Sequence, residues 1–398
     1  MKYIILVPDG LADEPVKELD GKTPMEAAST PHMDFLAQNG LCALVQTIPD
    51  GMSPGSDVGN LALMGYDPRK NFSGRACLEA ANLGIKLKKD EVVFRCNLVT
   101  VQDEKMVDYS AGHISSDESR NLIEHLERAI DWPDVRFYPG KSYRHLMVVK
   151  TLNVQAMSAV KTTPPHDIMG KPLKAYLPAG PLSDILIRIM EKSKEILAVH
   201  QINKIRGESG ENPGNMVWLW GQGAKPELPS FKDSWGLTGS VISAVDLVNG
   251  IGRLAGLDVI DVPGANGYYD TNYKGKAEYA LDSLKKHDFV YVHVEATDEA
   301  GHNGDWKAKK ECCEHFDDKV VGTILKYFKK SQEVRVLVSP DHPTPVAVRS
   351  HTKAPVPFVM WGDGIAANGA KEYSEKAAAL GGIKFNSGRE MVGFFLKN

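Results

Sequence analysis

The sequence predicts an α/β protein, a mostly parallel sheet sandwiched by helices with a smaller α+β domain inserted into it. Three observations lead there. Short runs of β-branched and other apolar residues, bounded by turn or polar residues, read as fully buried strands. Helical patterns lie between those runs, the alternation expected of a parallel sheet covered on both faces. Both features belong to the two ends of the chain, while the middle has a different character. With 398 residues and ~150 residues per domain, two to three domains fit.

In chain order, Tyr3 to Val7 is the first buried strand and runs into Asp9-Gly10; Met33 to Asn39 then reads as a helix. Pro54-Gly55 is a turn, and the apolar positions after Ser56 begin another helix. From about Cys77 to about Gly236 the strands alternate more, as in Val92 to Val99, and turns are frequent, as at Tyr138-Pro139-Gly140 and Thr162 to His166. One amphipathic helix, Pro181 to Val199, stands out there, and Trp220 to Gly223 lies near the return crossing. The terminal character then resumes with helical patterns over Ala244 to Ala255, Lys276 to Lys286 and Lys307 to Lys329, and with strands at Phe289 to Val294, Val334 to Val338 and Val356 to Met360. The expected division is therefore a discontinuous domain of residues 1–76 and 237–398 and an inserted domain of residues 77–236.

Composition narrows the function classes. Apolar residues at 42% and charged residues at 25% suit a globular chain. A net charge of −4 lacks the positive field that nonspecific nucleic-acid binding needs. The basic clusters Lys86-Leu87-Lys88-Lys89 and Lys329-Lys330 read as solvated helix ends. No apolar run approaches a membrane span, and the first one stops at Pro8-Asp9, far short of a signal peptide's core. Five cysteines form an odd number without paired spacing, and Cys312 and Cys313 would point to different faces of a helix. Neither membrane nor nucleic acid is an expected partner, and a reduced cytoplasm is the expected location.

The three best strands each end in metal-ligand chemistry: Asp9 after the first, Asp298 and His302 after the second, Asp341-His342 after the third, with His351 in the loop entering the Val356 strand. In open parallel sheets the ligand crevice lies beyond the carboxyl ends of the strands, so three aspartates and three histidines should converge on one edge. Buried together, such carboxylates would repel and rise in pKa unless neutralised. Mixed carboxylate and imidazole ligation suits manganese, zinc or iron better than calcium, and six ligands exceed one tetrahedral zinc. Two metals about 4 Å apart would account for the number. Taken singly, Asp9-Gly10 also reads as a turn, Asp298 and His302 as decoration of a helix start, and His351 as an ordinary loop histidine.

Ser56 is the nucleophile candidate, at a helix N-terminus where backbone amides and the helix dipole favour a phosphate. Ser56 or Asp57 as a simple N-cap is the competing reading. Gly250-Ile251-Gly252-Arg253-Leu254-Ala255 loosely matches a dinucleotide fingerprint but sits inside a helical pattern, so helix packing explains it better. Cys77 and Cys96 read as buried small residues.

Asp9-Gly10, Gly55-Ser56-Asp57, Asp298 with His302, Asp341-His342 and Ser350-His351-Thr352 resemble the ordered metal and nucleophile motifs of the alkaline phosphatase superfamily. More closely, the chain resembles the archaeal-type, 2,3-bisphosphoglycerate-independent phosphoglycerate mutases, also through Thr30-Pro31-His32-Met33-Asp34, Gly65-Tyr66-Asp67-Pro68, Phe94-Arg95-Cys96-Asn97 and Trp220-Gly221-Gln222-Gly223. The resemblance implies an alkaline-phosphatase-like fold with an inserted substrate-binding domain. It implies two divalent metal ions, manganese foremost, with zinc, magnesium and cobalt as alternatives. One site would be made by Asp298, His302 and His351, the other by Asp9, Ser56, Asp341 and His342. It further implies interconversion of 3- and 2-phosphoglycerate through a phosphoserine on Ser56. Arg95 and His113, then Arg75, Arg144 and Lys276, are the substrate-binding candidates. Family members carry arginine where this chain has His113 after Ala111-Gly112, and related sequences have been proposed as homoserine kinases. Transfer to another small hydroxyl substrate such as homoserine is therefore the alternative, although no nucleotide-binding loop is visible.

Overall fold

The computed structural model describes residues 1–328 and 333–396. The strands among them are, in chain order, β1 (Lys2–Pro8), β2 (Leu41–Val45), β3 (Glu91–Gln102), β4 (Lys105–Asp108), β5 (Val135–Lys141), β6 (Arg144–Lys150), β7 (Met216–Ala224), β8 (Gly239–Ile242), β9 (Asp258–Val259), β10 (Phe289–Val294), β11 (Val334–Val338), β12 (Val356–Gly362) and β13 (Lys384–Phe385). The chain divides into two compact units, residues 1–72 with 227–398 and residues 73–226.

The first unit is built on an eight-stranded sheet in the order β13-β2-β12-β11-β1-β10-β8-β9. The pairs of β1 with β10 and β11, of β8 with β10 and β9, and of β13 with β2 are parallel. β12 runs antiparallel to both β11 and β2. Among the described residues, the connection between β11 and β12 contains no helix, which suits antiparallel neighbours, since a parallel partner needs a crossover, usually a helix. β1 and β10 are central and buried on both faces, which is why their sequences are unbroken apolar runs instead of alternating ones. On one face Ile4, Leu6, Val290 and Val292 meet Met33, Leu36, Ala277, Ala280 and Phe316 from the flanking helices. On the other, Tyr3 packs edge-on against Phe395 of the helix Gly388–Leu396, which lies beside the helix Ser56–Leu63.

The helical stretch expected over Lys307 to Lys329 is an α-helix (Trp306–His315), a π-helical segment (Phe316–Val321) and a second α-helix (Gly322–Phe328) in succession. Lys329 and Lys330 lie outside the described residues. Within the π segment the Asp317 carboxylate accepts the amides of His32 (3.2 Å) and Met33 (2.7 Å). It thereby satisfies two of the otherwise unpaired donors at the start of the helix Pro31–Gln38.

The second unit is an antiparallel sheet in which β3 pairs with β4, β6 and β7, and β6 with β5. The helices Ser116–Ala129 and Ser183–Ala198 place Leu122, Ile123, Leu126, Ile189 and Met190 in one core with Phe94, Cys96 and Leu98. The helix Arg75–Asn82 packs Ala76, Cys77 and Ala80 with Val93, Leu146 and Val148. Helices thus cover both sides of β3, so the alternation expected for Val92 to Val99 is replaced by near-continuous burial. Tyr138-Pro139-Gly140, expected as a turn, belongs to β5, where the register with β6 shifts between Tyr138 and Lys141; Pro is tolerated at such a bulge.

The unit limits fall after Phe72 and after Pro226, earlier than the 76/77 and 236/237 read from the sequence. Packing explains the shift. The helix starting at Arg75 belongs to the second unit's core, whereas Phe231 already stacks on Phe289 of β10 (centroids 4.3 Å apart).

Candidate active site

The parallel registers Val7↔His293 and Leu6↔Val338 align the carboxyl ends of β1, β10 and β11. Asp9 follows β1, Asp341 and His342 follow β11, and the helix Ala296–Asn303 follows β10. Asp298 and His302 are four residues apart and therefore share a helix face, with Asp298 Oδ2 3.2 Å from His302 Nε2. His351 Nε2 lies 2.9 Å from His302 Nε2 and 3.5 Å from Asp298 Oδ1. His342 Nε2 lies 3.4 Å from both Asp9 Oδ1 and Asp341 Oδ2, and Ser56 Oγ is 3.1 Å from that same nitrogen. The three aspartates, three histidines and serine singled out from the sequence are thus one group. Its donors form two tight sets, Asp298 with His342 and His351, and Asp9 with His293 and Asp341. His342 stands between the sets, and His293 enters one of them unannounced.

Local chemistry explains how these side chains reach the group. Ser56 opens its helix, but Gly55 is the N-cap and no side chain caps the helix, so the serine hydroxyl is directed to His342. The helix rests on the Asp341 backbone at Gly59, where a Cβ would come within 2.5 Å of the Asp341 carbonyl oxygen. Gly10, at φ +62, takes the left-handed turn after β1, and a Cβ there would lie 2.5 Å from Asp298 Oδ1.

Burial, with Asp341 and Asp298 beside it, holds the Asp9 carboxyl well above the usual carboxylate range. Burial also opposes ionisation of Asp298, yet hydrogen bonds from His302 and His351 hold that carboxyl well below the range. The hydrogen bond to Asp298 raises His302 to about 9, whereas burial lowers His342. Asp9 Oδ1 is buried without a hydrogen-bond partner. His302 Nδ1, 3.1 Å from the Arg349 carbonyl, must donate to it, which turns the Nε2 lone pair into the group once the second proton leaves. Thr344 Oγ1 donates to Asp298 Oδ1, so it can accept from His342 Nδ1 at 3.2 Å, again leaving Nε2 as the ligand atom. An orphaned carboxylate oxygen, imidazole nitrogens oriented inward and three crowded carboxylates all fit divalent metal ions.

Sequence reasoning missed His293, Tyr291, Asn60 and Thr344, which are all buried around the group. The signal was present in β10, where Tyr291 and His293 interrupt an apolar strand two residues apart; reading the run as strand hid that its polar members share a face.

The profile of the 2,3-bisphosphoglycerate-independent phosphoglycerate mutases matches residues 37–203. The enzyme of that name from Methanosarcina barkeri is 47% identical over 399 residues, covering 100% of both chains. The chain belongs to this mutase family. Among solved structures, a protein from Pyrococcus horikoshii shares 30% identity with a TM-score of 0.85, covering 99% of this chain and 96% of that one. A cofactor-independent phosphoglycerate mutase from Thermoplasma acidophilum shares 26% identity with a TM-score of 0.72, covering 100% and 99%. As for membranes, no helix among the described residues is long and apolar enough to cross one.

In this phosphoglycerate mutase family member, four of the five substrate-binding candidates lie in the second unit. The Arg95 guanidinium stacks over Trp220 (4.0 Å to the centroid) and pairs with Glu79 at 3.1 Å. Burial lowers its pKa, and the charges of Arg75 and Arg144 push in the same direction, so the three arginines share one neighbourhood. Arg144 lies over Tyr143 and donates to its hydroxyl at 2.9 Å. His113 meets Tyr143 edge-on. Both Ala111 and His113 are left-handed, at φ 50, an arrangement that costs about 1–2 kcal/mol per residue. Asp108, which accepts the Ser110 and Gly112 amides, and Arg206, which donates to the Ala111 carbonyl, hold it in place. Lys276 belongs to the first unit and is fully buried. Its Nζ donates to the His293 carbonyl at 2.9 Å, and burial lowers it to about 8.

Proposed function

We propose that this protein interconverts 3-phosphoglycerate and 2-phosphoglycerate without 2,3-bisphosphoglycerate, through a phosphoserine on Ser56. The observation that carries the proposal is the Ser56 hydroxyl set against the carboxylate and imidazole group in a chain of this family. Asp298, His302 and His351 would hold one divalent metal, and Asp9, Asp341 and His342 with Ser56 the other; the mixed donors suit manganese, zinc or iron, and the family resemblance puts manganese first. When bound, the metals supply positive charge that stabilises the serine alkoxide and the transferring phosphoryl oxygens.

The rest falls to the chain. Ser56 Oγ attacks phosphorus as the bond to the glycerate 3-oxygen breaks, and the serine proton ends on that oxygen. Bound glycerate then presents its 2-hydroxyl, whose oxygen takes the phosphoryl group back while its proton returns to Ser56. Arg95, Arg144, Arg75 and His113 are the candidates for holding carboxylate and phosphate, the arginines by bidentate pairing. His113 makes the substrate contacts the part of the site most open to a different small hydroxyl compound such as homoserine. The working location is the cytoplasm, in keeping with five unpaired, buried cysteines.

Purified protein supplied with manganese and 3-phosphoglycerate should form 2-phosphoglycerate, and mass spectrometry should find the phosphoryl group on Ser56. Ser56→Ala should abolish turnover. Unchanged turnover in that variant, or phosphohomoserine formation in place of mutase activity, would overturn the proposal.

A further inference from the structure

Tyr291 and His293 sit two residues apart on one face of β10 and are fully buried. Each reaches one carboxylate of the Ser56-side set. The Tyr291 hydroxyl donates to Asn60 Oδ1 at 2.6 Å. Asn60 Nδ2 in turn donates to Asp341 Oδ2 at 2.7 Å and to the Ser56 carbonyl at 2.8 Å. On the other arm, His293 Nε2 is 2.7 Å from Asp9 Oδ2, and His293 Nδ1 is 3.1 Å from Ser243 Oγ. This second arm crosses three adjacent strands, because Ser243 follows β8 at the level of His293 and Asp9 follows β1.

Metal binding would ionise Asp9, and the proton positions along this arm follow for that state. Ser243 Oγ accepts the Val245 amide at 3.0 Å, which leaves its own proton for His293 Nδ1. An ionised carboxylate oxygen only accepts, so in that state His293 Nε2 carries the ring proton and donates to Asp9 Oδ2. That bond occupies Oδ2 and leaves Oδ1, the oxygen without a partner, facing the ligand group 3.4 Å from His342 Nε2. In the same way, Asn60 pins Asp341 and the first turn of the Ser56 helix together.

We propose that Tyr291 and His293 are positioning residues that fix the two carboxylates of the Ser56-side metal site, His293 by orienting Asp9 and Tyr291 by locking Asn60 onto Asp341. The inference rests on the metal reading of the site given above. Partners of this kind typically set metal affinity by about 10–100-fold.

The test is calorimetric titration of the metal-stripped full chain with manganese, alongside its melting temperature without metal. Tyr291→Phe and His293→Leu should each weaken one of two manganese sites by about 10–100-fold and leave the other within about twofold. His293→Gln, which keeps an amide donor, should recover most of the loss, and Ser243→Ala should weaken the same site to a smaller extent. A lowered melting temperature with unchanged manganese affinity in both Tyr291→Phe and His293→Leu would overturn the proposal, leaving a purely structural role. Loss of a whole equivalent of metal in His293→Leu, unrescued by glutamine, would also overturn it and make His293 a direct ligand. Failure of the wild-type protein to bind manganese would instead sink the metal reading itself. Should His293→Leu not fold, Tyr291→Phe and Ser243→Ala decide the question alone.

Discussion

Replacing Gly59 by alanine sets two effects of opposite sign against each other. Gly59 lies inside the helix Ser56–Leu63, and alanine there should stabilise the helix by about 1 kcal/mol on intrinsic propensity alone. The new Cβ, however, would lie 2.5 Å from the Asp341 carbonyl oxygen and 2.9 Å from its Cβ, where ordinary contact begins at 3.4 Å. The obstacle is largely backbone, buried and packed, so the helix or the Asp341 loop must move by the difference, roughly 1 Å. A misplacement of that size at a reacting group costs about 10²-fold in rate, or about 2.7 kcal/mol of transition-state stabilisation. Overpacking costs about 1–3 kcal/mol of stability, which cancels or exceeds the propensity gain. The assay is steady-state mutase turnover at saturating manganese, with thermal melting of the same preparation. We expect a kcat about 100-fold lower with a melting temperature unchanged or reduced. A variant that melts higher than wild type and turns over within threefold of it would refute the reasoning, because the helix would then not be held against the Asp341 loop.

Two further predictions concern protons. Asp298 raises His302 to about 9, so below that pH the ring holds a proton that a metal must displace. Manganese affinity at this site should therefore rise with pH, by up to about tenfold per unit, and level off near pH 9; calorimetry showing a flat dependence between pH 7 and 9 would contradict it. In the second unit, burial pushes His145 down to about 3. Its Nδ1 accepts the Gly140 amide, leaving Nε2 unpaired. A depressed base contributes stability that is complete above its unfolded value near 6.5 and is lost as pH falls toward 3, since the unfolded chain binds the extra proton. By pH 5 the loss should reach about 2 kcal/mol. Protection factors of the amides in β5 and β6, which divide out the intrinsic pH dependence of exchange, should fall accordingly between pH 7 and 5, and His145→Gln should remove most of that fall.

How far the structure could be read in advance depended on what burial does to a strand. β1, β10 and β11 are enclosed on both faces, so their apolar runs stand out, and the ligands at their carboxyl ends follow from chain order alone. Where a second layer of packing intervenes, the sequence is silent. Nothing in Val92 to Val99 announces that the Arg75–Asn82 helix covers the other face of β3, and nothing in Val356 to Met360 says that the strand runs backwards. Tyr138-Pro139-Gly140 has turn chemistry, yet a bulge satisfies the same residues within a strand. His293 was hidden for a related reason. A histidine amid valines and a tyrosine reads as core until the register sets it beside Asp9 and Ser243.

The central position of β1 has a consequence for how the chain is made. Its partners in the sheet are β10 and β11, so the first strand synthesised waits for residue 289 before either edge can be paired. At about 5–20 residues per second that interval lasts roughly 14–56 seconds. The second unit, contiguous from 73 to 226 and closed by antiparallel neighbours, is complete well before then. During synthesis the amino-terminal strand is an unpaired apolar edge upstream of an already folded domain, a substrate for chaperones and a hazard for aggregation. A chain interrupted before β10 would keep that edge exposed permanently and could assemble no ligand group, however intact its inserted domain.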